Sequence, residues 1–158
     1  MGAFGDARAR LDAAGLVPVL LEEAERKPLL GICLGMQLLF ERSFEYGEHP
    51  GLGLIPGEAA PLAEDVGDRT LKIPHMGWNS LEITREDPLF RYFRDGEYVY
   101  YVHSYYARNC AESTLGISRY GNAAVTGVVR RGNVWGVQFH PEKSGDTGLR
   151  LLRAFAEL

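Results

Sequence analysis

Pro28-Leu29-Leu30-Gly31-Ile32-Cys33-Leu34-Gly35-Met36-Gln37-Leu38-Leu39-Phe40 is the stretch that decides the fold class. Pro28 to Ile32 is a brief apolar run of the kind that forms a buried strand, and Met36, Leu38, Leu39 and Phe40 then continue helically to Glu41. Strand, sharp turn and helix in that order are the unit of an α/β sheet. The turn places a cysteine between small neighbours that permit a strained backbone, which is the nucleophile-elbow arrangement with cysteine in the serine position. An elbow of this kind projects the sulfur from the sheet edge and leaves the next N–H, that of Leu34, free to face an oxyanion. The helix N-terminus just beyond favours a thiolate by its partial positive charge. A cysteine after an apolar run reads equally well as a small core residue, and residues 31–35 alone do not separate the two.

Toward the N-terminus, Gly5 to Ala14 reads as a short helix with Ala7, Leu11 and Ala14 on one face. Gly15 stops it, and Pro18 opens a second helix running toward Arg26. Toward the C-terminus, Gly51 to Gly57, Thr70 to Ile73 and Asn79 to Thr84 are expected to be short strands, with a polar loop over residues 64–69. Three more β segments follow at Tyr98 to Val102, Ala123 to Val129 and Val134 to Phe139, the last two joined by a hairpin turn at Arg130-Arg131-Gly132-Asn133. A closing helix over about Gly145 to Leu158 presents Leu149, Leu152 and Phe155, and there is no internal repeat.

The 158 residues are read as one domain, residues 1–158, long enough to bury a core without disulfides or a structural metal. Hydrophobic residues make up 46% and charged ones 24%, with 19 Gly and 8 Pro, which is globular rather than disordered composition. A net charge of −4 without a Lys/Arg run removes the electrostatic footprint of nucleic-acid binding. The two cysteines, Cys33 and Cys110, offer no disulfide framework and fit a reducing, cytoplasmic compartment. No apolar run is long enough for a membrane span. Met1 to Arg10 does not resemble a secretory signal.

A second motif, Val137-Gln138-Phe139-His140-Pro141-Glu142, delivers an imidazole at the end of a strand that Pro141 halts. Residues 140 and 142 share a side of an extended chain, so the carboxylate can orient the ring. A nucleophilic cysteine requires such a base with a fixed tautomer. A surface His and Glu at a strand end is the ordinary reading of that pair taken alone. The four histidines show no metal-ligand spacing with each other or with cysteine, so no metal site is expected, and no phosphate-binding loop is present.

Gly31-Ile32-Cys33-Leu34-Gly35-Met36-Gln37 and Gln138-Phe139-His140-Pro141-Glu142 together resemble the two active-site motifs of the class I glutamine amidotransferases. Met36, Pro74-His75-Met76-Gly77-Trp78-Asn79, Tyr101-Val102-His103-Ser104-Tyr105 and Lys143 are similar to the glutaminase-subunit branch that serves imidazole glycerol phosphate synthases. The resemblance runs from Gly2 to the C-terminus. It implies a flavodoxin- or Rossmann-like mixed sheet flanked by helices, with Cys33 as nucleophile, His140 as general acid/base and Glu142 as its orienting partner. It implies Leu34 and Gly2 as oxyanion donors, and Gly35, Gln37, Glu45, His103, Ser104 and Tyr105 as residues holding L-glutamine. The partner it implies is a (β/α)₈-barrel cyclase subunit, bound as a heterodimer near Met76, Trp78, Tyr100 and Lys143 and using the released ammonia in histidine biosynthesis. No cofactor is implied.

Members of the family begin with β/α structure and a Pro-Gly-Val-Gly turn leading into Ala-Phe-Gly. Here the chain begins Met1-Gly2-Ala3-Phe4-Gly5, so Gly2 aligns with the last glycine of that turn and the strands before it are missing. By this resemblance the domain is incomplete at its N-terminus, marginally stable and poorly active, since one oxyanion donor typically contributes about 10²- to 10³-fold. Three rivals remain open at this level: another class I amidotransferase, a non-catalytic partner-binding module, and a cysteine peptidase of similar fold. Stimulation by a cyclase subunit, absence of turnover and peptide hydrolysis would distinguish them.

Overall fold

The computed structural model describes residues 3–158. In chain order the elements are α1 (Phe4–Ala13), α2 (Leu16–Glu23), β1 (Leu29–Ile32), α3 (Leu34–Leu38), β2 (Arg42–Ser43), β3 (His49–Pro50), β4 (Glu58–Pro61), β5 (His75–Ser80), β6 (Glu82–Ile83), β7 (Tyr98–His103), β8 (Tyr105–Arg108), β9 (Thr114–Tyr120), β10 (Ala123–Arg131), β11 (Val134–Val137) and α4 (Gly145–Ala156). Short 3₁₀ turns lie at Leu62–Glu64, Pro88–Phe90, Ala111–Ser113 and Pro141–Lys143. The strands build a five-stranded mixed sheet in the order β1-β11-β10-β9-β6, a four-stranded sheet β3-β2-β4-β8 and a two-stranded ribbon β5-β7. Within the larger sheet β1 runs parallel to β11, while β11, β10, β9 and β6 are antiparallel neighbours.

The α/β reading of the sequence is borne out, and the layers follow from side-chain alternation. Successive side chains of a strand point to opposite faces. On β10, Val128 joins a core with Trp135, Val137, Phe139, Tyr101 and Leu151 of α4. Its neighbour Val129 joins a second core with Val134, Met36, Leu39 and Phe40 around α3. The sheet is therefore buried on both faces with helices on each side, which is why β11 is apolar throughout rather than alternating. Gly136 supplies the closest approach: a Cβ there would come within 2.8 Å of the Met36 Cγ, so glycine allows α3 to lie against β11.

Several expected elements shift for identifiable reasons. The second helix starts at Leu16, with Pro18 inside the first turn, where a missing N–H costs nothing. Gly51 to Gly57 is not a strand. The N–H groups of Leu52, Gly53, Leu54 and Ile55 instead bond to the carbonyls of Leu38, Phe40 and Leu39, so this segment caps the orphan end of α3. Thr70 to Ile73 is a turn region in which the Thr70 N–H and hydroxyl both bond to the Asp68 carboxylate. The segment expected over Asn79 to Thr84 begins earlier, at His75, and breaks at the fully buried Leu81 into β5 and β6.

One buried ionic cluster ties the hairpin to the rest. The Asp87 carboxylate, only 4% exposed, accepts from Trp135 Nε1 at 3.0 Å, from the Leu89 N–H at 2.9 Å and from Arg130 Nη1 at 2.8 Å. The Arg130 guanidinium also stacks over the Trp135 ring, 4.3 Å from its centroid. Asp87→Ala strands an indole N–H and an arginine together. It is expected to lower the unfolding free energy by about 2–4 kcal/mol, discounted from the fully buried case because Arg130 is partly solvated. A denaturant midpoint unchanged from the parent would contradict this.

Candidate active site

The parallel pairing of β1 with β11 sets Ile32 beside Val137, so the residues that follow both strands leave the sheet at the same edge. Cys33 follows β1, and its N–H bonds to the Val137 carbonyl at 2.8 Å. Gln138, Phe139 and His140 follow β11. The carboxyl edge of parallel strands is where α/β sheets form ligand sites.

Cys33 sits at φ 53°, ψ −108°, a conformation costing a non-glycine residue about 1–3 kcal/mol. The turn is held from both ends. A Cβ on Gly31 would stand 2.6 Å from the Gly35 carbonyl oxygen, so only glycine permits the chain to double back. Gly35 carries no such restriction, since a Cβ there would meet nothing within 4 Å.

The sulfur has one acceptor and two donors for neighbours. Its S–H faces the Val102 carbonyl at 3.9 Å, while Gln138 Nε2 donates to it at 3.6 Å and the Leu34 N–H also bonds to it. Burial pushes the thiol up to about 11, against the pull of Leu34 and Gln138, and the Glu142 charge pushes in the same direction as burial. Desolvation of the anion outweighs the two hydrogen bonds that favour it.

His140 is buried and closely held. Its N–H bonds to the Tyr100 carbonyl, its carbonyl accepts from Ser144 Oγ, and its Nδ1 lies 2.5 Å from Glu142 Oε1. A carboxylate accepts, so Nδ1 carries the proton and Nε2 presents a lone pair in the neutral ring. That Nε2 is buried with no hydrogen-bond partner among the described residues. Unpaired buried nitrogens are uncommon, and a catalytic role is one of the reasons for which they are kept.

A cavity of about 280 Å³ opens above Cys33, lined by Leu34, Gln37, Glu45, Tyr46, Pro74, Val102, His103, Ser104 and Tyr105. The structure thus brings Leu34, Gln37, Glu45, His103, Ser104 and Tyr105 of the expected set to one place. Gly35 does not line the cavity, and Gly2 lies outside the described residues. Glu45 is anchored by the Phe4 N–H at 3.2 Å. Tyr46 also lines the cavity and shares the positive φ of Cys33, 53° at both residues.

Below the cavity floor lies a chain of buried polar groups. His103 Nδ1 donates to the Tyr105 carbonyl at 2.9 Å, which leaves His103 Nε2 to accept from His75 Nδ1 at 2.9 Å. Burial drives both imidazoles down, His75 to about 4 and His103 to about 3, so both are neutral. A larger groove of about 680 Å³ runs past Arg85, Arg108 and Cys110. Arg108 is paired with Glu58, Glu64 and Asp65, and Arg85 with the carbonyls of Glu112 and Thr114. No group of three or more His, Cys, Asp or Glu among the described residues could hold a metal ion.

The family model for glutamine amidotransferase class-I matches residues 1–157. The chain belongs to the class-I glutamine amidotransferases. Within them it falls in the HisH family. It is 51% identical to the imidazole glycerol phosphate synthase subunit HisH of Lacticaseibacillus casei (strain BL23) over 100% of its own length and 74% of that protein. To the subunit HisH of Bacillus cereus (strain B4264) it is 53% identical over 98% of this chain and 72% of that one. Among solved structures, a glutamine amidotransferase shares the fold with a TM-score of 0.64 at 24% identity, over 93% of this chain and 69% of that one. Another, from Thermotoga maritima, shares it with a TM-score of 0.62 at 22% identity, over 99% and 59%.

The buried thiol of this class-I amidotransferase leads to a direct expectation. Alkylation of Cys33 by iodoacetamide in the free chain should accelerate steadily with pH up to about pH 10 without levelling, because the thiolate fraction keeps rising below the thiol pKa. A plateau near neutrality, followed by peptide mass spectrometry to separate Cys33 from Cys110, would show instead that the thiolate is already formed.

Proposed function

We propose that this chain hydrolyses L-glutamine to glutamate and ammonia as the glutaminase subunit of an imidazole glycerol phosphate synthase. The observation that carries the reading is a strained, buried cysteine that lines a cavity of amino-acid size, at the sheet edge where the chain after β11 delivers a buried, unpaired imidazole oriented by a carboxylate.

In this reading Cys33 is the nucleophile, His140 the acid and base, and Glu142 the group that holds its tautomer. The thiol of the resting site is protonated, so attack begins with transfer of its proton to His140 Nε2 as the sulfur adds to the side-chain carbonyl of glutamine. The oxyanion is assigned to the Leu34 N–H, which bonds to the sulfur in the resting site and passes to the carbonyl oxygen as the tetrahedral intermediate forms. The His140 imidazolium, stabilised by Glu142, returns the proton to the leaving nitrogen and ammonia departs. Water activated by His140 then cleaves the glutamyl thioester. Gln37, Glu45, His103, Ser104 and Tyr105 are assigned to the walls that hold the amino acid. The Gln37 amide nitrogen is spent on protein acceptors, so its Oε1 is the part that remains for a ligand.

The ammonia is assigned to a cyclase subunit docked on the outer face of the β5-β7 ribbon, as a heterodimer working in the cytoplasm on histidine biosynthesis. On that face Trp78 opposes Tyr100 with their rings 5.9 Å apart, and Met76 opposes Val102. Met76 is 61% exposed, Trp78 55% and Tyr98 60%, an apolar cluster of the kind that marks protein interfaces. Exposed Lys143 stands in the turn after His140, and Tyr100 ties the two regions through its backbone bonds to His140 and Ser144. Val102 faces both ways: its side of the ribbon meets the docking face, and its carbonyl meets the Cys33 sulfur. Among the described residues no helix is long and apolar enough to cross a membrane.

Glutamate release measured with and without a cyclase subunit tests the reading. Cys33→Ala is expected to lower turnover by at least about 10³-fold, and Glu142→Gln by roughly 10²- to 10⁴-fold in kcat through loss of the imidazole tautomer. Turnover surviving in Cys33→Ala would sink the nucleophile assignment. On the docking face, Trp78→Asp is expected to weaken association about 10²-fold or more while glutamine hydrolysis by the free chain stays unchanged. Undiminished binding, read by titration calorimetry, would move the partner elsewhere.

A further inference from the structure

Gln138 is fully buried, sits directly after β11 and has no part in the mechanism above. An amide with no exposure must satisfy both of its ends inside the protein. Its Oε1 accepts from Gln37 Nε2 at 3.2 Å, and its Nε2 points at the Cys33 sulfur at 3.6 Å. The sense of both amides is dictated by a third group. Gln37 Nε2 also donates to the Tyr105 carbonyl at 3.0 Å, and a carbonyl can only accept, so Gln37 must turn its nitrogen inward. That nitrogen requires an oxygen from Gln138, which leaves the Gln138 nitrogen no direction but the sulfur. The same Tyr105 carbonyl takes the His103 Nδ1 proton, so it is held from a second side.

We propose that Gln138 is a catalytic residue that donates a hydrogen bond to the Cys33 thiolate, and that Gln37 is the positioning residue that fixes its amide for this purpose. The inference rests on Cys33 being the nucleophile. It answers a difficulty that the elbow creates: the sulfur's other side-by-side neighbour, the Val102 carbonyl, suits the thiol and repels the anion. A fixed amide N–H stabilises the anion as the proton leaves. Hydrogen bonds to a charged group are the stronger class, which makes the contact matter more once the thiolate forms.

The test is the alkylation rate of Cys33 at about pH 8 to 10, a range below its pKa where rate follows thiolate fraction. Peptide mass spectrometry separates it from Cys110, and glutamine kinetics are run on the same samples. Gln138→Met, close in shape and without the donor, is expected to slow alkylation about tenfold and to lower kcat by a similar factor with KM little changed. Gln37→Leu leaves Gln138 in place but releases its orientation, so alkylation slows in the same direction by less. The double variant is expected to be no slower than Gln138→Met, because the two act as one unit. Glu142, the carboxylate that acts on the sulfur's charge, its partner His140, and the cavity-lining Glu45, Tyr46, His103 and Tyr105 are unaltered in all three. Alkylation at the parental rate in folded Gln138→Met, or in Gln37→Leu should the first variant not fold, overturns the proposal, as does simple additivity. Glutamine hydrolysis persisting in Cys33→Ala would defeat the nucleophile reading instead, and the alkylation series would still report whether Gln138 meets the sulfur.

Discussion

The parallel contact between β1 and β11 joins segments more than a hundred residues apart in sequence, Leu29 beside Val134 through Ile32 beside Val137. Four residues from each strand suffice because both faces of the sheet are covered, by the core around α3 on one side and the core reaching α4 on the other. Every feature of the cavity floor hangs on that register. A slip of one residue would turn Val137 and Ile32 to opposite faces and carry Cys33 away from Gln138. The Asp87 cluster braces the same arrangement from behind by holding Trp135 and Arg130, neighbours across the β10-β11 hairpin.

Stability and chemistry draw on the site in opposite directions. Left-handed backbone at Cys33, an unpaired His140 nitrogen and a thiol forced into a desolvated position each cost folding free energy. The surrounding groups offset this by pairing almost completely: Gln37, Gln138, His75 and His103 are all buried and all bonded. What remains unpaired at the site, among the described residues, is the imidazole nitrogen, His140 Nε2. A core of apolar residues could have been stable there, but it could not have fixed the direction of any proton.

The ribbon β5-β7 links this interior to the outside. Its inward residues, His75, Asn79, Val99, Tyr101 and His103, belong to the core and the polar chain, while outward Met76, Trp78 and Tyr98 are exposed beside half-buried Tyr100. Strand alternation thus makes one short element serve both surfaces.

From the sequence alone the strand-elbow-helix around Cys33, the β10-β11 hairpin, the closing helix and the His140–Glu142 pair were readable, because each is a matter of local spacing. The glutamine-holding residues came from resemblance rather than from pattern, and Gly35, chosen that way, does not line the cavity. Gln138 was in plain view within its motif yet had no role there, since nothing local says that a side chain after an apolar strand will find a sulfur from another strand. The strands that were misplaced failed for the same reason: Gly51 to Gly57 is shaped by the open end of α3, and Thr70 to Ile73 by the Asp68 carboxylate. Local chemistry determines which groups this chain possesses and the turns that present them. Which atom each one faces, and therefore which protons it can hold or give, is decided only when distant strands pair and exclude water.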